Sequence, residues 1–257
     1  MPVKKKLISL ALAACACTGA WAAPVSFSGS QNNLSASVSF DLVGSQLKVV
    51  LANTGTSDVR VADQVLTAVF FDLGGGVTLS PVSAISGGTT YKGTQWVSDA
   101  GTNVGGEWAF DDAISAYGAH MGISSSGLGN IFGPKDRFDV DSNLYGPESP
   151  DGLQYGITSP GDDRSTGTGQ NNNGGGVFNS PLTTGSVIFL FDVAGPLDLD
   201  AISKVTFQYG TALDEPNFAG TLDDNGGGGT DVPEPATLAL AGSALLGLAA
   251  ARRRRRG

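Results

Sequence analysis

Leu34-Ser35-Ala36-Ser37-Val38-Ser39-Phe40-Asp41-Leu42 alternates apolar and polar residues without a miss. A period of two belongs to a strand with one buried face and one wet face. Gly44-Ser45 then offers a turn, and Leu47-Lys48-Val49-Val50-Leu51 begins a second strand, so the two read as a hairpin. Further along, residues 65–73, 186–193 and 204–209 are apolar runs rich in β-branched and aromatic residues. Residues 77–79, 107–110 and 153–158 are weaker strand candidates. No stretch between the two ends of the chain shows a helical apolar period. Many short strands with Gly, Pro and Asn turns predict a mainly β fold. The expected form is a single antiparallel β-sandwich with long Gly-rich loops, the jelly roll being one version of it.

From residue 118 to 178 the chain is dense in Gly, Pro, Ser, Asn and Asp, with few apolar runs. Residues 167–176 are of low complexity and are expected to form a mobile loop. A loop-rich region of this length is either functional or disordered.

The chain has 257 residues and 38 glycines, about twice the usual share. The glycines fall in clusters with no G-X-Y period, which excludes collagen. Eight of the 15 basic residues lie in two terminal groups. Between those groups stand seven bases: Lys48, Arg60, Lys92, Lys135, Arg137, Arg164 and Lys204. Against them stand 23 acids, all but Glu234, so the body carries a net charge of −16. So acidic a body repels nucleic acid and anionic lipid, and no nucleic-acid partner is expected.

The two basic groups belong to segments that read as addresses. Lys4, Lys5 and Lys6 precede an apolar stretch, and Ala20-Trp21-Ala22 is an A-x-A cleavage pattern, which predicts a signal helix over residues 1–22. A rival reading takes Leu12-Ala13-Ala14-Cys15 as a lipobox with a lipidated Cys15. Both readings imply export. Cys15 and Cys17 are the only cysteines, so cleavage after Ala22 leaves a body without disulfides or thiolate sites.

At the other end, a Gly-rich linker (residues 221–232) leads to Val232-Pro233-Glu234-Pro235. Sixteen uncharged residues follow, and then Arg252, Arg253, Arg254, Arg255 and Arg256. As a helix those sixteen residues span about 24 Å, short against a hydrocarbon core of about 30 Å. The arginines act as a stop that holds this end on the cytoplasmic side. A marginal membrane helix with a strong stop suits a transient address better than a permanent anchor, although a plain tail anchor is the alternative.

Motif, apolar segment and Arg cluster in this order resemble the PEP-CTERM sorting signal of Gram-negative bacteria over residues 233–257. That resemblance implies an exosortase and the Sec machinery as partners, transient residence in the inner membrane, and a destination at the cell surface or extracellular matrix. The body, residues 23–220, carries further wording: Glu107-Trp108-Ala109-Phe110, Asp136-Arg137-Phe138, Ser149-Pro150-Asp151-Gly152-Leu153-Gln154-Tyr155-Gly156-Ile157 and Phe207-Gln208-Tyr209-Gly210-Thr211. In this order it resembles the XDD-type exosortase-dependent surface proteins. The resemblance implies a surface protein and brings no catalytic residues. The favoured expectation is a non-enzymatic surface or matrix protein associated with exopolysaccharide and biofilm, with no cofactor.

Three constellations merit weighing from the residues themselves. Asp139-Val140-Asp141-Ser142-Asn143 begins like an EF-hand calcium loop, but the positions that need Gly and Glu hold Leu144 and Pro150. What remains is an irregular calcium site from Asp136, Asp139, Asp141, Asn143 and Glu148, or else a solvated acidic loop. Asp162-Asp163 and Asp214-Glu215 are acidic pairs that suit glycoside hydrolysis if held across a cleft, yet beside Gly and Pro they also suit turns. Trp96, Trp108, Tyr117, Tyr145 and Tyr155 suit a carbohydrate-binding module if they share one face, and core anchoring if they do not.

Overall fold

The computed structural model describes residues 23–223 except 140, 141 and 143. The expected signal helix and membrane helix therefore lie outside the described residues. Among those described, no helix is long and apolar enough to cross a membrane.

The alternating stretch forms a meander. β1 (Val25–Gln31), β2 (Leu34–Val43) and β3 (Gln46–Asn53) pair antiparallel in sequence order. The β2–β3 turn puts Gly44 at φ 66° in the first central position of a two-residue loop, the place where a type II′ turn asks for glycine. Each apolar residue of the alternation points inward: Ala36, Val38 and Phe40 are buried, as are Leu47, Val49 and Leu51 opposite them.

β4 (Leu66–Asp72) opens a second sheet, and β5 (Thr78–Ser86) returns to the edge of the first. Pro81 is tolerated there because β5 is an edge strand, and the register shifts at that point. β6 (Thr90–Lys92) and β7 (Gln95–Ser98) form a hairpin at the edge of the second sheet, with Gly93 at φ 57° in its turn. β8 (Ala109–Asp111) and β9 (Met121–Ser124) pair beside β4. The strand expected over residues 107–110 is thus shifted, and Glu107 and Trp108 precede it.

β10 (Ile157–Thr158), β11 (Pro181–Thr184), β12 (Ser186–Ala194), β13 (Ser203–Tyr209), β14 (Asn217–Ala219) and β15 (Thr221–Leu222) complete the two sheets. Their orders are β15-β1-β2-β3-β12-β5 and β14-β13-β4-β10-β11-β6-β7. The expectation of a wholly antiparallel sandwich needs one correction. β10 and β11 run parallel, with Ile157 opposite Thr183. The strand expected over residues 153–158 shrinks to two residues because Tyr155 sits at φ 58°, a left-handed conformation that no strand continues through.

The sheets meet face to face over aromatic rings. Phe40 lies 5.1 Å from Phe71, Trp108 5.0 Å from Phe189, and Phe110 4.9 Å from Phe191, all near edge-to-face. Each such ring contributes about 1.5–3 kcal/mol by burial, and each pair about 0.5–1.5 kcal/mol beyond that. β4 is buried on both faces. Val69 and Phe71 enter the main core, while Ala68 and Phe70 pack under Ile114, Ala116, Leu128 and Phe132. The loop-rich middle therefore covers the outer face of the second sheet, which is why residues 65–73 read as a continuous apolar run.

The stretch expected to be a mobile loop is tied into turns. Asp162 Oδ1 accepts the amides of Val59 and Thr168 at 2.9 and 3.1 Å, and Thr168 is buried.

Candidate functional site

Of the five aromatics singled out in the sequence, the fold sends two to one place. Trp108 and Tyr155 are fully buried. Tyr117 packs edge-on against Phe70, and its hydroxyl donates to the Leu213 carbonyl at 2.6 Å. Trp96 and Tyr145 remain outside, 60% and 53% exposed, the two most exposed aromatic side chains among the described residues. Both line one groove of about 390 Å³, together with Val97, Ser98, Asp99, Thr102 and Leu144.

Each of these residues has a partner in the fold. Trp96 stands on edge strand β7, and its Nε1 donates to Asp99 Oδ1 at 3.3 Å. Tyr145 is held by its backbone amide, which donates to the buried Tyr155 hydroxyl at 2.7 Å. The Lys92 ammonium sits 4.8 Å over the Tyr145 ring. The Arg164 guanidinium sits 3.4 Å over Tyr91, which pairs with Trp96 across the β6–β7 hairpin. The Ser98 hydroxyl is closed off from solvent and has no hydrogen-bond partner.

A second groove of about 370 Å³ lies by Asn33, Asn53, Asp58, Arg60 and Ser159. Most of its polar side chains already have partners in the fold. Arg60 pairs with Asp58 at 2.8 Å, Asn53 Nδ2 donates to the Ile157 carbonyl, and Ser159 Oγ donates to the Gly55 carbonyl. Little capacity for a ligand is left there.

The acidic pairs hold turns. Asp163 Oδ1 accepts the amide and the hydroxyl of Ser165 at 2.8 and 2.7 Å, and these bonds hold its carboxyl below the usual range. Glu215 Oε2 accepts the amides of Thr211 and Ala212. Gln208 Nε2 donates to the Ala212 carbonyl at 2.9 Å, so the wording around Phe207-Gln208-Tyr209-Gly210 describes a self-bonded turn. His120 is an exposed side chain beside Asp72, at 3.2 Å. Burial opposes ionisation of Asp72, but Lys204 at 2.9 Å and His120 together hold its carboxyl below the usual value.

The described members of the calcium set each have a protein partner. Asp136 Oδ2 accepts the Gly133 amide at 2.9 Å, Asp139 Oδ2 accepts Asn103 Nδ2 at 2.6 Å, and Glu148 Oε2 meets Arg137 Nη1 at 3.3 Å. Among the described residues, no three acidic, histidine or cysteine side chains are placed to hold one metal ion. Asp141 and Asn143 lie outside the described residues, as do Ala20, Ala22, Cys15, the Val232–Pro235 motif and Arg252 to Arg256.

Sequence reasoning passed over Glu107. Its side chain is fully buried, and neither carboxylate oxygen has a hydrogen bond of ordinary geometry. Burial first, and then the charges of Asp151 and Glu148, push its carboxyl up to about 8. The Ser149 backbone and Arg137 oppose this only in part. The available signal was an acid enclosed by Gly105-Gly106 and Trp108-Ala109-Phe110, glycines and apolar residues on both sides.

Among the described residues the body is a β scaffold with an open groove lined by two exposed aromatic rings. Residues 231–256 match the PEP-CTERM protein-sorting motif. The chain therefore carries the signal of an exosortase-sorted protein, which implies export and membrane passage before surface display. No curated protein and no solved structure matches it.

Proposed function

We propose that this is a non-enzymatic protein of the cell surface or extracellular matrix, held in the exopolysaccharide of a Gram-negative biofilm, of the XDD-type exosortase-dependent kind. One observation carries this reading: a PEP-CTERM motif at residues 231–256 on a chain whose body is an acidic β scaffold. The signal at residues 1–22 opens the export route, and the tail is an address that exosortase removes. The bonding of Asp163 and Glu215 to backbone amides supports the non-enzymatic side, since those carboxylates already hold turns.

A second reading, a carbohydrate-binding module of that matrix, is favoured by one feature, the shared groove of Trp96 and Tyr145. The test of the first reading is cellular. In a host with active exosortase, Pro233, Glu234 and Pro235 are all replaced by alanine. Surface protein should then be lost and full-length protein should collect in the inner membrane. Equal surface delivery of this variant and the wild type rejects the sorting reading.

A further inference from the structure

The groove between β7 and residues 144–145 brings together the two most exposed aromatic rings among the described residues. The Trp96 ring is tethered through Asp99, and the backbone of Tyr145 is held by Tyr155. Groups held in advance lose less freedom when a ligand arrives. Asp99 gives one carboxylate oxygen to Trp96, and its Oδ2 faces no donor among the described residues. Val97 and Leu144 supply apolar wall. The volume, about 390 Å³, falls in the range of about 300–1,000 Å³ usual for small-ligand sites.

Flat aromatic faces beside a carboxylate match one chemistry well. A pyranose ring offers an apolar C–H face to an aromatic and a rim of hydroxyls to acceptors and donors. We propose that this groove is a saccharide-binding site that takes a hexopyranose of a neutral polysaccharide. Trp96 is the stacking platform, Tyr145 the second wall, and Asp99 Oδ2 takes a ring hydroxyl. The preference for a neutral chain follows from charge. The open oxygen is itself anionic, the body carries a net charge of −16, and the ammonium of Lys92 is engaged over the Tyr145 ring. The site rests on the matrix reading only for where such a polymer would be met.

The test uses the full chain, purified with its tail in detergent micelles. Calorimetry and tryptophan fluorescence follow titration with neutral hexasaccharides of glucan, mannan and galactan type, and with an oligouronate of similar length. At least one neutral series should bind at millimolar concentration or below, and more tightly than the oligouronate. Trp96→Ala should weaken it by about ten-fold or more, because the aromatic stacking area is lost. Trp96→Phe should restore most of it. Trp96 is exposed, so these variants should keep the wild-type unfolding midpoint. The site is overturned if none of the three neutral series binds, if the oligouronate binds more tightly, or if Trp96→Ala binds as wild type does. A chain that binds no glycan but still needs Pro233, Glu234 and Pro235 for surface delivery loses this site and keeps its sorting function. The reverse pair of results keeps the site and removes the sorting function.

Discussion

The Tyr155 hydroxyl accepts the Tyr145 backbone amide at 2.7 Å, so a fully buried phenol holds the segment that carries an exposed one. Tyr155 is itself fixed, since its amide donates to the Pro181 carbonyl at 2.6 Å and its backbone takes φ 58°. Core and groove wall are thereby one mechanical unit. Tyr155→Phe keeps the ring and removes the acceptor. Stability should fall by about 1–2 kcal/mol, the usual effect of losing one such bond. Hydrogen exchange at the Tyr145 amide should accelerate. Unchanged protection of that amide would show that the hydroxyl does not hold it.

Gly106 lies beneath the same segment. A Cβ there would press on Ser142 Oγ and come within 2.8 Å of Leu144 Cδ1 and 2.9 Å of Glu148 Cγ. The Gly106 amide donates to Ser142 Oγ at 2.8 Å, so the two loops touch through backbone and side chain together. Gly106→Ala should destabilise by about 1–3 kcal/mol, as overpacking does, and should displace Leu144 and Tyr145. The checks are a urea unfolding midpoint and the fluorescence of Trp96 across the groove. A variant as stable as wild type, with the same fluorescence, would mean the contact yields without cost.

Asp162 acts as a clasp. One carboxylate receives the Val59 amide, the Thr168 amide and the Thr168 hydroxyl. Asp162→Ala leaves those donors without their acceptor, and stability should fall by about 2–3 kcal/mol. Asp162→Asn keeps one oxygen and should lose less. Limited proteolysis should cut first within residues 163–176 in the alanine variant. Identical cleavage patterns in both variants and wild type would deny the clasp.

How much of this was legible depended on burial being one-sided. β2 was plain because every second residue from Leu34 to Leu42 is apolar and the serines between face out. β1 escaped notice because only Val25 and Phe27 mark it. Gly29 replaces a third apolar residue, since a Cβ there would lie 2.7 Å from the Ala219 carbonyl oxygen. β4 was legible as a strand, but its double burial required the cover of residues 114–132, which carry no strong pattern of their own. Trp96 and Tyr145 were both candidates, yet only the fold of residues 144–145 beside β7 brings them together. The acids were ambiguous for a physical reason. Asp and Glu beside Gly and Pro suit turns and catalysis equally well in sequence, and only their backbone partners separate the two.

Glu107 sets a pH dependence whose sign follows from its surroundings. Its carboxyl titrates near an ordinary 4.5 when unfolded and is pushed up to about 8 in the fold, chiefly by burial. Between those values the folded protein keeps a proton that the unfolded chain has lost. Unfolding therefore releases a proton, and stability falls as pH rises through this window, levelling off above about pH 8. A shift of this size is worth a few kcal/mol in total, at about 1.4 kcal/mol for each pH unit. Glu107→Gln keeps the shape and cannot ionise. At pH 4.5 the carboxyl in the fold is still protonated, so variant and wild type should differ only by the constant cost of exchanging one buried polar group for another. From pH 4.5 to pH 8 the variant should gain on wild type by about 2–4 kcal/mol. Paired urea titrations at several pH values isolate this difference, because every other titrating group is common to both proteins. A gap that stays constant with pH would mean that Glu107 titrates normally. The carboxylate would then find water or a partner in solution.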